Sequence, residues 1–416
     1  YLFQSAHIVD VSSPYHDEVL DILIEDGLIT AVGKGLAVPE GTHTIDARGC
    51  YLTTGFAELH SDLGEPGNEE SENLRSGAAA AALGGFTAVG VVSNGSPWIQ
   101  NKTGVEFLLN QSEELPLNLV PIGTMSKDRA GEELSEMFEM NRYGSPLFGD
   151  YKHGTSNANL LKLALLYSKP FGRIMVHPEA PSLRAGGVMH EGRTSTYLGL
   201  KGIPEMAEHI QVARDLSLLE YTEGRMHIAS VSTPASLALI REAKAKGLQV
   251  TCSMNLHHFI FSDEVLEGYP TEFKVNPPLR PASFLEAYLA AIEDGTVDAL
   301  TVDHLPKDIE QKMCEFDYAA WGMAGFEGAV AHFLDRVSLP LDTLQRLLST
   351  EPRALLELPA LSIREGEPAE FTLLNERGQL WTGFASQGFN NPFKGSETKW
   401  RIEGTFVKGN YYSQQG

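Results

Sequence analysis

The sequence predicts a (β/α)8 barrel of the TIM type, with a small β-sandwich formed by the N- and C-terminal segments. Three observations predict it. Strand-like and helix-like stretches alternate through the middle of the chain, the pattern of a parallel sheet with crossover helices. Eight strand candidates fall there, at 51–60, 86–92, 118–123, 146–150, 173–177, 225–230, 248–253 and 297–303, and eight such units close a barrel. Short β segments separated by turns occupy the two ends of the chain.

At the N-terminal end these segments are Ala6-His-Ile-Val-Asp, Val19-Leu-Asp-Ile-Leu-Ile-Glu, Leu28-Ile-Thr-Ala-Val and Thr42-His-Thr-Ile-Asp, with turns at Glu25-Asp-Gly and Ala47-Arg-Gly. Ala369-Glu-Phe-Thr-Leu-Leu-Asn and Thr405-Phe-Val-Lys-Gly-Asn are their counterparts near the C-terminus. The expected division is therefore a discontinuous β-sandwich of residues 1–50 and 365–416 around a barrel of residues 51–364. Helical patterns such as 74–83 and 233–246 lie between the strand candidates.

The 416 residues are 42% hydrophobic and 21% charged, enough apolar material for a large core. A formal net charge of −23 repels phosphate backbones and anionic lipid, so neither nucleic acid nor a membrane is an expected partner. No apolar run is long enough to span a bilayer. Three scattered cysteines, Cys50, Cys252 and Cys314, show no paired spacing, which fits a reducing cytoplasm and ordinary packing roles.

Barrel sites lie at the C-terminal ends of the strands. Polar residues recur at those ends: His60 and Asp62, Asn94, Asp150, His177, Ser230 and Asp303. His60 and Asp62 are two apart at the end of the first strand, so they share a face and point into one cavity. Both residue types ligate zinc. Any one of these residues taken singly is an ordinary strand-end or turn residue, and their recurrence at one level favours a site. His227 lies at an odd offset from Ser230 and is expected to face the helices as a packed structural histidine. His257 and His258 are adjacent, so on a strand they face opposite ways and form no ligand pair.

With these residues in view the chain resembles the dihydroorotase family of the amidohydrolase superfamily. The resemblance runs through Gly55-Phe-Ala-Glu-Leu-His-Ser-Asp-Leu-Gly-Glu-Pro-Gly67, Gly84-Gly-Phe-Thr, Gly131-Glu-Glu-Leu-Ser-Glu-Met, Gly187-Val-Met-His-Glu-Gly and Gly199-Leu-Lys-Gly-Ile-Pro. It continues through Ser230-Val-Ser-Thr, Lys274-Val-Asn-Pro-Pro-Leu-Arg, Asp303-His-Leu-Pro and Asn391-Pro-Phe-Lys-Gly. The order of these segments is far more specific than any one of them. The resemblance implies reversible ring closure of carbamoyl-aspartate to dihydroorotate in pyrimidine biosynthesis, driven by zinc that acidifies a water and polarises the carbonyl.

The same resemblance implies particular ligands. His60, Asp62, Asp150, His177 and Asp303 would hold metal, Asp303 would also move the proton, and Asn94 and Asn276 would contact substrate. Asp62 stands where the family has a second histidine. A shift of one residue would put Tyr151 in the bridging place of Asp150. Ser230 stands where the family has a zinc-binding histidine, Gly64 where it has a substrate-clamping arginine, and Lys307 where it has a closing histidine. A serine hydroxyl is a poor zinc ligand, and the lost guanidinium removes a bidentate carboxylate donor. Two readings follow. One is a weakly active or non-catalytic homologue serving in assembly, with aspartate transcarbamoylase as the implied partner and a homo-oligomer expected. The other is an active zinc hydrolase of a cyclic amide. Zinc occupancy would be one or two ions if the site is intact and none if it is not.

Overall fold

The computed structural model describes residues 1–92 and 94–414. Eight parallel strands surround the barrel axis: β1 Phe56–Ser61, β2 Phe86–Val92, β3 Asn118–Ile122, β4 Leu147–Phe148, β5 Arg173–Val176, β6 Met226–Ile228, β7 Val250–Asn255 and β8 Ala299–Thr301. Hydrogen bonding runs through β1–β2–β3 and through β4–β5–β6–β7–β8. A parallel bridge between Gly123 and Phe148 joins the two runs. The β8–β1 seam is held by fewer and different bonds. Asp62 N–H donates to His304 O at 2.9 Å, and the buried Glu58 carboxylate accepts the N–H groups of Val302 and Asp303 at 2.8 and 3.0 Å.

Alternation along the strands separates two apolar layers. Ala57, Leu59, Ala88, Val120, Met175 and Ala299 fill the barrel, while Phe86, Val89, Ile174, Met226, Cys252 and Leu300 pack outward in the main core with the helices. His227 falls in the inner layer. Its ring nitrogens meet Thr251 Oγ1 at 2.9 Å and Ser253 Oγ at 3.1 Å on the inner face of β7. It is thus a packed histidine as expected, but it faces the barrel interior and not the helices. The odd offset misled because Ser230 is no longer strand: its φ of +59° turns the chain between the two residues.

The single strand expected at 51–60 is two strands. Tyr51–Thr54 pairs with Leu2–Val9 and Phe371–Asn375, and the chain then enters the barrel as β1. Gly55 marks the change, where a Cβ would lie 2.3 Å from the Thr87 side chain. The terminal segments form one eight-stranded sheet. Phe3 packs against Tyr411 with ring centroids 5.6 Å apart, although four strand steps separate their strands in the sheet order. At about 4.8 Å per step a flat sheet would hold them near 19 Å apart. The sheet therefore curls over its own core of Phe3, Ile8, Ile22, Leu52, Phe371 and Phe406. The barrel with a β-sandwich of both termini is the observed fold.

The C-terminal segment is also tied to the barrel. Helix Phe326–Arg336 carries Glu327, whose carboxylate accepts the N–H groups of Ala385 and Ser386 at 2.8 and 3.2 Å. Burial pushes this carboxyl up to about 7, against the lowering effect of those two N–H donors. The folded protein thus holds a proton here that the unfolded chain, with its ordinary value of 4.5, gives up earlier. Stability from this group is present below 4.5 and is lost as pH rises through about 7. Urea midpoints measured from about pH 5 to 8 should show a decline that Glu327→Gln flattens.

Candidate functional site

The mouth of the barrel gathers side chains from the ends of six strands. His60 comes from β1, Asn94 follows β2, Tyr151 and Lys152 follow β4, His177 follows β5, Ser230 follows β6, and Asp303 follows β8. Lys152, Ser230 and Asp303 adopt φ values of +58°, +59° and +56°. Left-handed backbone is uncommon for such residues and recurs where side chains are re-aimed at sites.

Asp303 is the hub. Lys152 Nζ donates to its Oδ2 at 2.5 Å, Asn255 Nδ2 donates to Oδ2 at 2.9 Å, and the Tyr151 hydroxyl donates to Oδ1 at 2.9 Å. His60 Nδ1 lies 3.5 Å from Oδ1. Burial alone would raise the Asp303 carboxyl, but the Lys152 ammonium and His60 outweigh it and hold the group below the usual carboxylate range. Lys152 also donates to Asn276 O at 2.6 Å. Burial, with the Asp303 charge next, raises the Tyr151 phenol well above its ordinary value, so it stays a donor. His177 is buried beside Lys152; burial first and that charge second keep its imidazole neutral.

The expected residues do not all meet. Asp150 is turned away: its carboxylate accepts Met125 N–H, Ser126 N–H and the Ser126 hydroxyl at 3.0, 3.0 and 2.5 Å. Its neighbour Tyr151 faces His60 and His177 instead. Asp62 is buried near Asn94 and Lys307, and its Oδ1 accepts Gly64 N–H at 2.9 Å. Burial raises its carboxyl, with Lys307 opposing. His60, His177 and Ser230 share a void of about 10 Å³, the scale of a single water. His60 Nε2, His177 Nε2 and Ser230 Oγ have no hydrogen-bond partner there, while His60 Nδ1 is the atom 3.5 Å from Asp303. Asn94 and Asn276 line an adjoining cavity of about 300 Å³, with Asn276 Oδ1 unpartnered.

His257 and His258 lie on a short helix, His257–Ile260, not on a strand. Their rings sit 4.6 Å apart and are tilted by 40°; both are buried, and His257 Nε2 lies 3.5 Å from Asn255 Nδ2, at the edge of the Asp303 hub. Lys152, Glu179 and Arg184 escaped sequence reasoning. The signal for Lys152 was a basic residue directly after a buried strand end. Arg184 ends a single helical turn, Pro181–Arg184, with its guanidinium 4.8 Å from the Trp321 ring centroid and Nη1 donating to Glu179 at 3.3 Å.

Comparison with known proteins accords with this fold. A family model described as Dihydro-orotase-like matches residues 49–236. A dihydroorotase of Geobacter metallireducens is 39% identical, with 98% of each chain covered. The chain belongs to the dihydroorotase family. Dihydroorotases of Syntrophus aciditrophicus and Acetivibrio thermocellus are 37% and 38% identical over 100% and 98% of this chain, covering 99% and 98% of theirs. An L-hydantoinase (dihydropyrimidinase) of Arthrobacter aurescens shares the fold, with a TM-score of 0.84 at 20% identity, covering 100% of this chain and 96% of that one. A D-hydantoinase does so with a TM-score of 0.82 at 20% identity over 99% and 95%.

Against the dihydroorotase ligand pattern, the donor set here fits a two-metal centre poorly. The orphaned imidazole nitrogens of His60 and His177 are suitable donors. Yet among the described residues no three His, Cys, Asp or Glu side chains converge as a metal group would require. Of the carboxylates, Asp150 is turned to the Met125–Ser126 backbone, Asp62 accepts Gly64 N–H, and Asp303 already carries an ammonium and a phenol. Nor is there room for an arginine at Gly64. Its φ is +81°, and a Cβ there would lie 1.8 Å from Glu72 O.

Removing the ammonium tests this description of the hub. Lys152→Met should leave Asp303 buried without its main counter-charge and lower unfolding free energy by about 3 kcal/mol in urea titrations. A change under about 0.5 kcal/mol would mean that the ion pair does not organise the mouth.

Proposed function

We propose that this dihydroorotase-family protein is a weakly active or non-catalytic homologue of the pyrimidine-biosynthetic enzyme, with an impaired zinc centre, that serves in assembly. The observation that carries this reading is the occupancy of Asp303 by Lys152 and Tyr151. Attack on an unstrained cyclic amide needs an activated water and a stabilised oxyanion, and zinc supplies both in the family chemistry. Here a fixed ammonium stands at the carboxylate that would ligate metal and shuttle the proton. Ser230 supplies no histidine, Asp150 is committed to the Met125–Ser126 backbone, and Gly64 offers no carboxylate clamp.

The assembly role and its implied partner, aspartate transcarbamoylase, come from the family resemblance. The Val231-Ser-Thr and Pro278-Leu-Arg segments that carry part of the family resemblance support a maintained scaffold. Arg280 reaches Glu208, Ser232 and His190 in one buried network, at 3.2, 3.0 and 3.1 Å. The cytoplasmic reading agrees with relatives named dihydroorotase and with a structure in which, among the described residues, no helix is long and apolar enough to cross a membrane.

The unpartnered nitrogens of His60 and His177 favour a second reading, a hydrolase of a cyclic amide holding a single zinc. Zinc per chain after metal loading, with dihydroorotate turnover in both directions, separates the two. The expected outcome is well under one zinc per chain and no turnover above background. Two zinc ions with a turnover of about 1 per second or faster would sink the proposal. One zinc with turnover of a different cyclic amide would establish the second reading.

A further inference from the structure

The chain after β8 returns on itself as a strap beside the barrel mouth. Its ends are joined by Leu305 N–H, which donates to Met323 O at 2.9 Å, and Gly322 N–H ties it to Lys274 O at 2.9 Å. Leu305, Trp321 and Met323 of the strap wall the cavity of about 300 Å³ that Asn94 and Asn276 also line. Two buried lysines hold the strap from within. Lys312, 1% exposed, donates to Thr271 O at 2.8 Å and to Gly322 O at 2.9 Å. Lys274, 2% exposed, donates to Phe316 O at 2.7 Å and to Asp317 O at 2.9 Å. Among the described residues neither amine has a carboxylate within 4.0 Å.

A lysine that has lost its proton keeps two N–H donors, and each of these amines meets two carbonyls. The third N–H of an ammonium would find no oxygen at Lys312, and at Lys274 it would meet the Trp321 ring, whose centroid lies 5.0 Å from Nζ. Burying an ammonium without a counter-charge is costly, and lysine answers by giving up its proton. We propose that segment 305–323 is a proton-gated cover of the mouth cavity, fastened when Lys312 and Lys274 are neutral amines and loosened when they are protonated. Burial is the main cause that brings Lys312 down to about 7 and Lys274 down to about 8. The charged neighbours act both ways. Lys307 and Lys274 press on Lys312 against Glu272 and the Cys314 thiol, and Arg184 presses on Lys274 against Asp317 and the same thiol. A loosened strap returns each lysine to its ordinary 10.5, so between about 7 and 10.5 the open form holds more protons and rising pH favours the closed one. Below about 7 both forms are protonated at Lys312 and the dependence on this residue levels off.

Amide hydrogen exchange on the full chain, corrected for intrinsic exchange rates, tests the gate from about pH 6 to 9. Protection of peptides within 306–322 should change little up to about pH 7 and rise by about tenfold or more from there to about pH 9, while peptides from β2 and β3 change by less than about twofold. Lys312→Gln keeps two N–H donors with no proton to gain, and it should remove most of the rise; Lys274→Gln should remove the part above about pH 8. A flat strap profile in the parent overturns the gate, as does a rise that persists in the double variant. A rise shared equally by the barrel strands reports global stability and also overturns it. Unchanged protection of β2 and β3 in each variant excludes misfolding, and where a variant does not fold the profile of the parent decides. The amines and their acceptors all lie outside the proposed metal positions, so the exchange profile and the zinc count can fail separately.

Discussion

The Asp303–Lys152 ion pair is the constraint on which the barrel mouth depends. Two opposite charges are buried together, and burial of either alone would cost several kcal/mol. Tyr151 and Asn255 satisfy the remaining carboxylate lone pairs. The backbone N–H of the same Asp303 goes to Glu58 across the β8–β1 seam. One residue therefore links β4, β7 and β8 through its side chain and β1 through its main chain. That is a structural role of the kind a metal centre plays when its ligands come from several strands. In this structure the charge beside Asp303 is the Lys152 ammonium, carried by the chain itself.

Most of the architecture was legible in the sequence because it depends on periodicity. Alternating apolar runs separated by amphipathic stretches leave few topologies besides a barrel, and terminal β segments with no helices between them must pair with each other. The break at Gly55 was not legible. A continuous run from Tyr51 to His60 reads as one strand, and only the close passage of Thr87 shows why a residue without a side chain interrupts it. The inward turn of His227 escaped for a related reason. Strand parity was counted across Ser230, where a left-handed residue resets it.

The site was legible in its gaps more than in its contents. Ser230, Gly64 and Asp62 stood out because a family pattern exists to compare them with. Asp150 and Tyr151 could not be separated by pattern, since the choice depends on which side chain the short strand β4 turns inward. Lys152 left only the faint signal of a basic residue after a strand end, and Arg184 left none. Their positions come from a left-handed backbone at Lys152 and a single helical turn ending at Arg184. Local geometry of that kind leaves little trace in residue type.

The crowding at Gly64 bears on the direction in which this protein can change. The backbone that a Cβ would strike belongs to Glu72, whose carboxylate holds the C-terminal segment through Gln387 N–H at 3.2 Å and the Ser386 hydroxyl at 2.5 Å. A larger residue at position 64 thus has to move a loop that is itself anchored to residues more than 300 positions away in the chain. A side chain at position 64 therefore calls for a displaced loop and, through Glu72, for a displaced C-terminal segment.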